Sequence, residues 1–326
     1  MDITVIVCSY NRCESLAKAL VSIASSVLPE SVEWEVLVVD NNSRDQTRTV
    51  VQEICCRCPG RFRYLFESKQ GKSNALNAGI RAACGQILAF TDDDVTVDPL
   101  WLQNLTAPLL MGQWVGTAGC IRLEPNFRPP HWMAITGPFS LGAPLAAEFD
   151  RGDHEGPLDQ LPFGANMAFR KVMFERYGEF RADLGPNPAD EIRGEDVEFA
   201  GRLMAAGEQM YYVPSAVVNH RVAQERVNKR YFRSYYFAQG RSVARQEGLK
   251  LSIWRIPRFW IREIRGKLRW VSSLDRKWFL NTQGRFFCEL VVLRTIGRIM
   301  ESYHSYYRAG AKPAGGTAGP FQNASG

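Results

Sequence analysis

Unbroken apolar runs alternate with segments carrying an apolar residue every three or four positions through the first hundred residues of this chain. Ile3 to Cys8 is the first run; it ends in Ser9-Tyr10-Asn11-Arg12, and a helical spacing through Leu16, Leu20, Ile23 and Val27 follows. Glu35 to Val39 is the second, ending in Asp40-Asn41-Asn42-Ser43. A helix over 46–57, a strand over 63–66, a helix over 72–83 and a strand over 86–90 continue the pattern. Apolar strands separated by amphipathic helices predict a parallel sheet covered on both faces, with the ligand beyond the carboxyl ends of its strands. Ser9, Asp40 and Asp92 each fall at such an end, on three separate strands. Beyond residue 99 the pattern is mixed. A strand is expected over 115–121, then Pro- and Gly-rich loops over the site at 125–162, an apolar run at 163–170, a helix at 195–206 and a last strand at 210–213.

The 326 residues suit one large or two medium domains. No stretch reaches the roughly 18 uncharged apolar residues that span a bilayer. Met1-Asp2 leads straight into a strand-like run, so a signal peptide is not expected and the location reads as cytoplasmic. Eight cysteines in such a chain are expected to be reduced. Cys55-Cys56-Arg57-Cys58 lacks a second pair at zinc-finger spacing. The net charge of +6 is unevenly spread: residues 1–220 hold 19 Lys/Arg against 28 Asp/Glu, whereas 221–308 hold 20 against 6. An acidic body with a basic C-terminal segment implies two tasks.

The densest chemistry lies in Phe90-Thr91-Asp92-Asp93-Asp94-Val95. Three carboxylates at a strand end repel one another, and a cation relieves that repulsion. Oxygen ligands from one or two carboxylates, completed by phosphate, suit Mg²⁺ or Mn²⁺. On these six residues alone an exposed acidic turn is the favoured reading, and the rest of the chain reverses it. Gly71-Lys72-Ser73 is not a phosphate-binding P-loop, because the glycine that motif needs at position 66 is Phe66.

Six ordered motifs, taken together, resemble the inverting family 2 glycosyltransferases. They are Cys8-Ser9-Tyr10-Asn11-Arg12, Val38-Val39-Asp40-Asn41-Asn42-Ser43, Gly71 to Gly79, Phe90 to Asp94, Phe163 to Arg170, and Gly194-Glu195-Asp196. The resemblance implies an α/β GT-A fold, Rossmann-like, with a mainly parallel sheet and helices on both faces, followed by a C-terminal basic helical segment. It implies a glycosyltransferase domain over 1–220, with a nucleotide-binding half at 1–98 and an acceptor half at 99–220. Ser9, Asn11, Arg12, Asp40, Lys72, Asn77, Asp92, Gly164 and Asn166 are then expected around the donor nucleotide. Asp92, Asp94 and His220 are expected to hold Mg²⁺ or Mn²⁺, with Asp93 pointing away as a turn residue. Asp196 is the expected general base, and Glu195 an acceptor contact. The implied donor is a nucleotide sugar, a UDP-sugar first among the candidates, and the implied acceptor a lipid-linked or polysaccharide hydroxyl.

Residues 221–308 mix Arg and Lys with aromatics and read as basic amphipathic helices. An anionic membrane surface, the inner face of the plasma membrane, and packing against the core both suit them. Nucleic acid is ranked last, since no binding module is recognisable. Residues 309–326 read as a disordered tail. A sugar-nucleotide nucleotidyltransferase and a non-catalytic scaffold of the same fold are the alternatives. The first would need a Gly-rich loop after strand one, where Ser9 to Cys13 has no glycine.

Overall fold

The computed structural model describes residues 1–188, 190–249, 255–256, 258–259, 261–262, 265 and 282–310. The strands are β1 (Ile3–Ser9), β2 (Trp34–Asp40), β3 (Phe62–Phe66), β4 (Ile87–Asp92), β5 (Val95–Val97), β6 (Gly116–Leu123), β7 (Gly156–Pro157), β8 (Asn166–Arg170) and β9 (Met210–His220). The helices are α1 (Cys13–Ala24), α2 (Thr47–Arg57), α3 (Lys72–Ala82), α4 (Trp101–Leu110), α5 (Gly142–Ala146), α6 (Val172–Tyr177), α7 (Glu195–Ala205), α8 (Lys229–Gln246) and α9 (Thr282–Gly310). The tail expected over 309–326 begins later than expected, because α9 continues through Gly310; its remainder, 311–326, and most of the stripe Ile253 to Leu268 lie outside the described residues.

One sheet runs β3-β2-β1-β4-β8-β6-β9-β5, with β7 on β9. The β3-β2-β1-β4 half is parallel, as the continuous apolar runs require: every residue of β2 is buried, and β1 is buried except at Cys8. Its register sets Ser9 beside Asp40 and Cys8 beside Asp92, so three motif ends meet at one sheet edge. The apolar run at 163–170 enters antiparallel between β4 and β6, with Asn166 opposite Thr91. Reversed direction puts the beginning of β8, not its end, at that same edge. β9 is longer than the sequence pattern suggested, because a register shift beside Gly119 and Cys120 lets it continue past Pro214 to His220. The short β5 leaves the Asp92–Asp94 turn and pairs with that end, Val95 opposite His220. The Arg221 N–H donates to the Asp94 carbonyl at 2.9 Å, and this pairing is what brings a distant histidine to the acidic turn.

The C-terminal helices form a second layer. Phe232 and Tyr236 of α8, Phe286 and Leu290 of α9, and Met133, Leu141 and Leu145 from the 125–162 stretch bury one another in a separate apolar cluster. Glycines set the approach of the two helices. A Cβ on Gly240 would lie 1.9 Å from the Arg294 carbonyl oxygen, and one on Gly297 would lie 2.1 Å from that of Phe237. Arg241 and Arg245 of α8 pair with Glu301 of α9 and with Asp190, tying the helices to the loop before α7. Packing thus accounts for these aromatics, and ion pairs for these arginines. No described helix is long and apolar enough to cross a membrane.

Candidate active site

A cavity of about 820 Å³ opens at the sheet edge where β1 and β4 end and β8 begins, and its far wall is built by α8. Ser9, Arg12, Lys72, Asp92, Asp94, Gly164, Glu195, Asp196 and His220 all line it. Its size lies within the range of small-molecule sites, about 300–1,000 Å³.

The acidic turn is neutralised from within the protein. Lys72 Nζ lies 2.7 Å from Asp92 Oδ1; Arg12 Nη1 lies 3.0 Å from Asp94 Oδ2 and 3.2 Å from Asp93 Oδ1. Arg226, from the turn after β9, approaches Asp94 Oδ2 at 3.6 Å. Burial would push the Asp92 carboxyl up, but Lys72, His220 and Arg12 together hold it below the ordinary carboxylate range. Burial would likewise lower Lys72, but the charges of Asp92, Glu195 and Asp196 raise it, so it stays an ammonium. Asp93 does not point away. It is buried, accepts the Ser9 hydroxyl at 2.7 Å, and is pushed up to about 6 by burial and by Asp94. Its side chain turns back because Ser9 and Arg12 offer donors that water would otherwise supply.

Asp92, Asp94 and His220 each present a ligand atom, all within 4.8 Å of one another. His220 Nδ1 lies 3.0 Å from the Arg221 carbonyl, an acceptor only, so Nδ1 donates there and Nε2 is the ring nitrogen turned to the acidic turn, 3.4 Å from Asp94 Oδ1. Two carboxylates and an imidazole nitrogen form a donor set that fits a divalent cation with positions left for other oxygens.

Across the cavity, α7 begins with Glu195 and Asp196. Asp196 Oδ2 accepts the Gly164 N–H at 2.6 Å and Oδ1 accepts the Val197 N–H at 2.8 Å, at the positive end of the helix. The carboxylate is therefore fixed in orientation. Glu195 is buried, and burial together with Asp196 pushes it up to about 7.

Four expected donor residues are not brought to the cavity wall. Asn11 has φ +52°; its backbone N–H donates to Ser43 Oγ and its Oδ1 accepts from Arg44, so it braces the 41–45 loop. Asp40 accepts from the Ser43 N–H and the Tyr64 hydroxyl. Its neighbour Asn41 lines the cavity instead, and its Oδ1 accepts the Gly71 N–H at 2.8 Å, fixing the start of α3. Asn77 is tied to the Phe180 backbone at both ends of its carboxamide. Asn166 donates to the carbonyls of Cys120 and Ala216 and accepts from the Trp101 indole.

Not legible in the sequence is the contribution of the turn before α7 and of the C-terminal segment: Arg193, and Arg226, Tyr231, Tyr235, Gln246 and Arg294, also line the cavity. The charge excess and aromatic content of 221–308 were the available signal, but they carry no information about which face of α8 meets the site.

Comparison with known proteins converges on one family. A profile of the family described as Glycosyl transferase family 2 matches residues 4–178, more than half of the chain. The succinoglycan biosynthesis protein ExoM of Rhizobium meliloti is 27% identical over 246 residues, covering 75% of this chain and 75% of its own length. The glycosyltransferase AglE of Haloferax volcanii is 27% identical over 218 residues, covering 67% of this chain and 66% of its own. Among solved structures, the mannosyltransferase PcManGT from Pyrobaculum calidifontis, in complex with GDP-Man and Mn²⁺, superposes with a TM-score of 0.60 at 19% identity, over 92% of this chain and 86% of that one. At that identity the likeness shows the fold, which is GT-A.

Proposed function

This chain belongs to glycosyl transferase family 2 and is a glycosyltransferase, and from that premise we propose the reaction it carries out. It transfers a sugar from a nucleoside diphosphate to a hydroxyl of a lipid-linked or polysaccharide acceptor, with inversion at the anomeric carbon. The observation that carries this reading is the opposition, across one cavity, of the Asp92–Asp94–His220 group and the oriented Asp196 carboxylate. ExoM's name places that relative in succinoglycan synthesis, and PcManGT was solved with GDP-Man and Mn²⁺, which supports a nucleotide-sugar donor here. The motif pattern makes a UDP-sugar the first donor to try.

Asp92, Asp94 and His220 would hold a divalent cation, Mg²⁺ or Mn²⁺, which supplies Lewis-acid stabilisation of the departing diphosphate. Arg12, Lys72 and Arg226 surround the same oxygens' side of the cavity and offset the negative charge that builds there. Asp196 takes the proton of the acceptor hydroxyl while that oxygen attacks the anomeric carbon and the bond to the diphosphate breaks. One base and, among the described residues, no positioned protein nucleophile favour a single displacement. Membrane association belongs to the same proposal. The basic 221–308 segment would dock on an anionic bilayer surface, and α9 leaves Val292, Met300, Tyr306 and Tyr307 exposed.

The test is release of nucleoside diphosphate from a panel of nucleotide sugars with Mn²⁺. Asp196→Asn is expected to lower the rate by about 10²–10⁴ with nucleotide affinity unchanged. A variant as fast as the parent would remove Asp196 from the chemistry.

A further inference from the structure

Among the described residues, five cationic side chains line the cavity: Arg12, Lys72, Arg193, Arg226 and Arg294. Arg12, Lys72 and Arg226 face the Asp92–Asp94 turn. Arg193, just before α7, and Arg294, on α9, make no ion pair with that turn; Arg294 lies close enough to Tyr236 to act on it by charge, and the Tyr236 ring is 6.0 Å from that of Tyr235. The Arg193 backbone N–H is fixed by Ser242 Oγ at 2.9 Å, and its guanidinium lies 5.1 Å from the centroid of the Tyr235 ring. Its carboxylate contact is a long one, 3.4 Å to the mostly exposed Glu191, and its Nε is buried without a hydrogen-bond partner. Arg294 forms no hydrogen bond or ion pair through its side chain with any described residue. The Tyr235 hydroxyl is likewise unpaired among the described residues. Burial pushes that phenol up to about 12, which keeps it a donor at neutral pH.

A guanidinium carries five donors and no acceptor, and one of them left buried and unsatisfied is a costly state that an anion relieves. The location says which ligand the anion belongs to. Arg193 is three residues before Asp196, and Tyr235 lies close enough to Asp196 to feel its charge, so this wall adjoins the base rather than the diphosphate side. We infer that Arg193, Arg294 and the Tyr235 hydroxyl form an anion subsite for the acceptor, which carries a phosphoryl or carboxylate group near the hydroxyl that is glycosylated. The inference rests on the reading of Asp196 as the base of a glycosyl transfer. A phosphoryl group would come from a lipid linkage, a carboxylate from an acidic sugar.

The test uses the full chain saturated with Mn²⁺ and the nucleoside diphosphate it binds, so that the donor site is closed to added anions. Glucose 1-phosphate, glucuronate and methyl glucoside are titrated at low ionic strength and followed by ligand-observed NMR. At least one charged probe is expected to bind about tenfold or more tightly than the neutral one. Arg193→Gln and Arg294→Gln should each remove most of that advantage while leaving nucleotide affinity unchanged. Preference for glucose 1-phosphate assigns a phosphoryl-bearing acceptor, and preference for glucuronate an acidic sugar. Equal binding of charged and neutral probes, no binding of any probe, or charged-probe binding that survives in Arg294→Gln would overturn the subsite. Arg294 makes no side-chain hydrogen bond or ion pair with any described residue, so its variant keeps the test sound should Arg193→Gln fail to fold. If no nucleotide binds but charged probes still bind in a variant-dependent way, the donor reading falls and the subsite stands.

Discussion

Asn166 commits its entire carboxamide to the protein interior: two N–H groups to the Cys120 and Ala216 carbonyls and its oxygen to the Trp101 indole. It therefore joins three strands and a helix just beneath the cavity floor. Asn166→Ala would leave two buried carbonyls and an indole N–H unpaired, a cost of about 2–4 kcal/mol. Urea unfolding should show an unfolding free energy lowered by that amount; an unchanged value would mean water replaces the amide. At this scale the sequence was informative about residue type and poor on direction. The motif marked Asn77 and Asn166, but their partners lie 103 and 46 to 65 residues away, and no local pattern encodes such pairings. Asp93 is the converse case. It reads as a turn residue, yet Ser9, 84 residues earlier, draws it inward.

At the scale of elements, periodicity located β1, β2, β4, α1, α3 and α7 because each buries a continuous run or one face. It could not give strand order or direction. The antiparallel entry of β8 and the pairing of β5 with β9 depend on contacts made only after collapse. The α8–α9 pair carries two predictions. Gly240→Ala places a methyl 1.9 Å from a backbone oxygen, so the helices must separate. The expected destabilisation is about 1–3 kcal/mol or more, with faster hydrogen exchange along α9; unchanged exchange would contradict the close crossing. Glu301 lies between Arg241 and Arg245. Burial opposes its charge, but the two guanidinium groups hold its pKa below the usual 4.5. Such a group stabilises the fold fully above its unfolded value and loses that contribution as pH falls through the depressed one. Acid unfolding of the parent should therefore steepen below about pH 4.5. Glu301→Gln should be less stable at neutral pH and show a shallower loss on acidification. An identical slope in both proteins would remove Glu301 from the account.

Over the whole molecule, an acidic sheet domain meets a basic helical layer, and the cavity lies where they join. The charge asymmetry was plain in the sequence, and so was the family through its ordered motifs. That the basic layer closes one wall of the site was not, because composition says how many arginines there are and not what they face. Among the described residues six carboxylates, Asp92, Asp93, Asp94, Glu191, Glu195 and Asp196, gather around one space whose cations are partly supplied by the chain. In the proposed reaction a divalent cation and the nucleoside diphosphate would complete this balance. Thermal unfolding with UDP, GDP, dTDP and ADP, each with and without Mn²⁺, for the parent and Asp94→Ala, tests it most directly. A nucleotide at a hundred times its Kd adds about 2.7 kcal/mol, a rise of several degrees. The predicted result is such a rise for one nucleotide, dependent on Mn²⁺ and lost in Asp94→Ala; no shift with any nucleotide in folded protein, or the same shift in the variant, would contradict it.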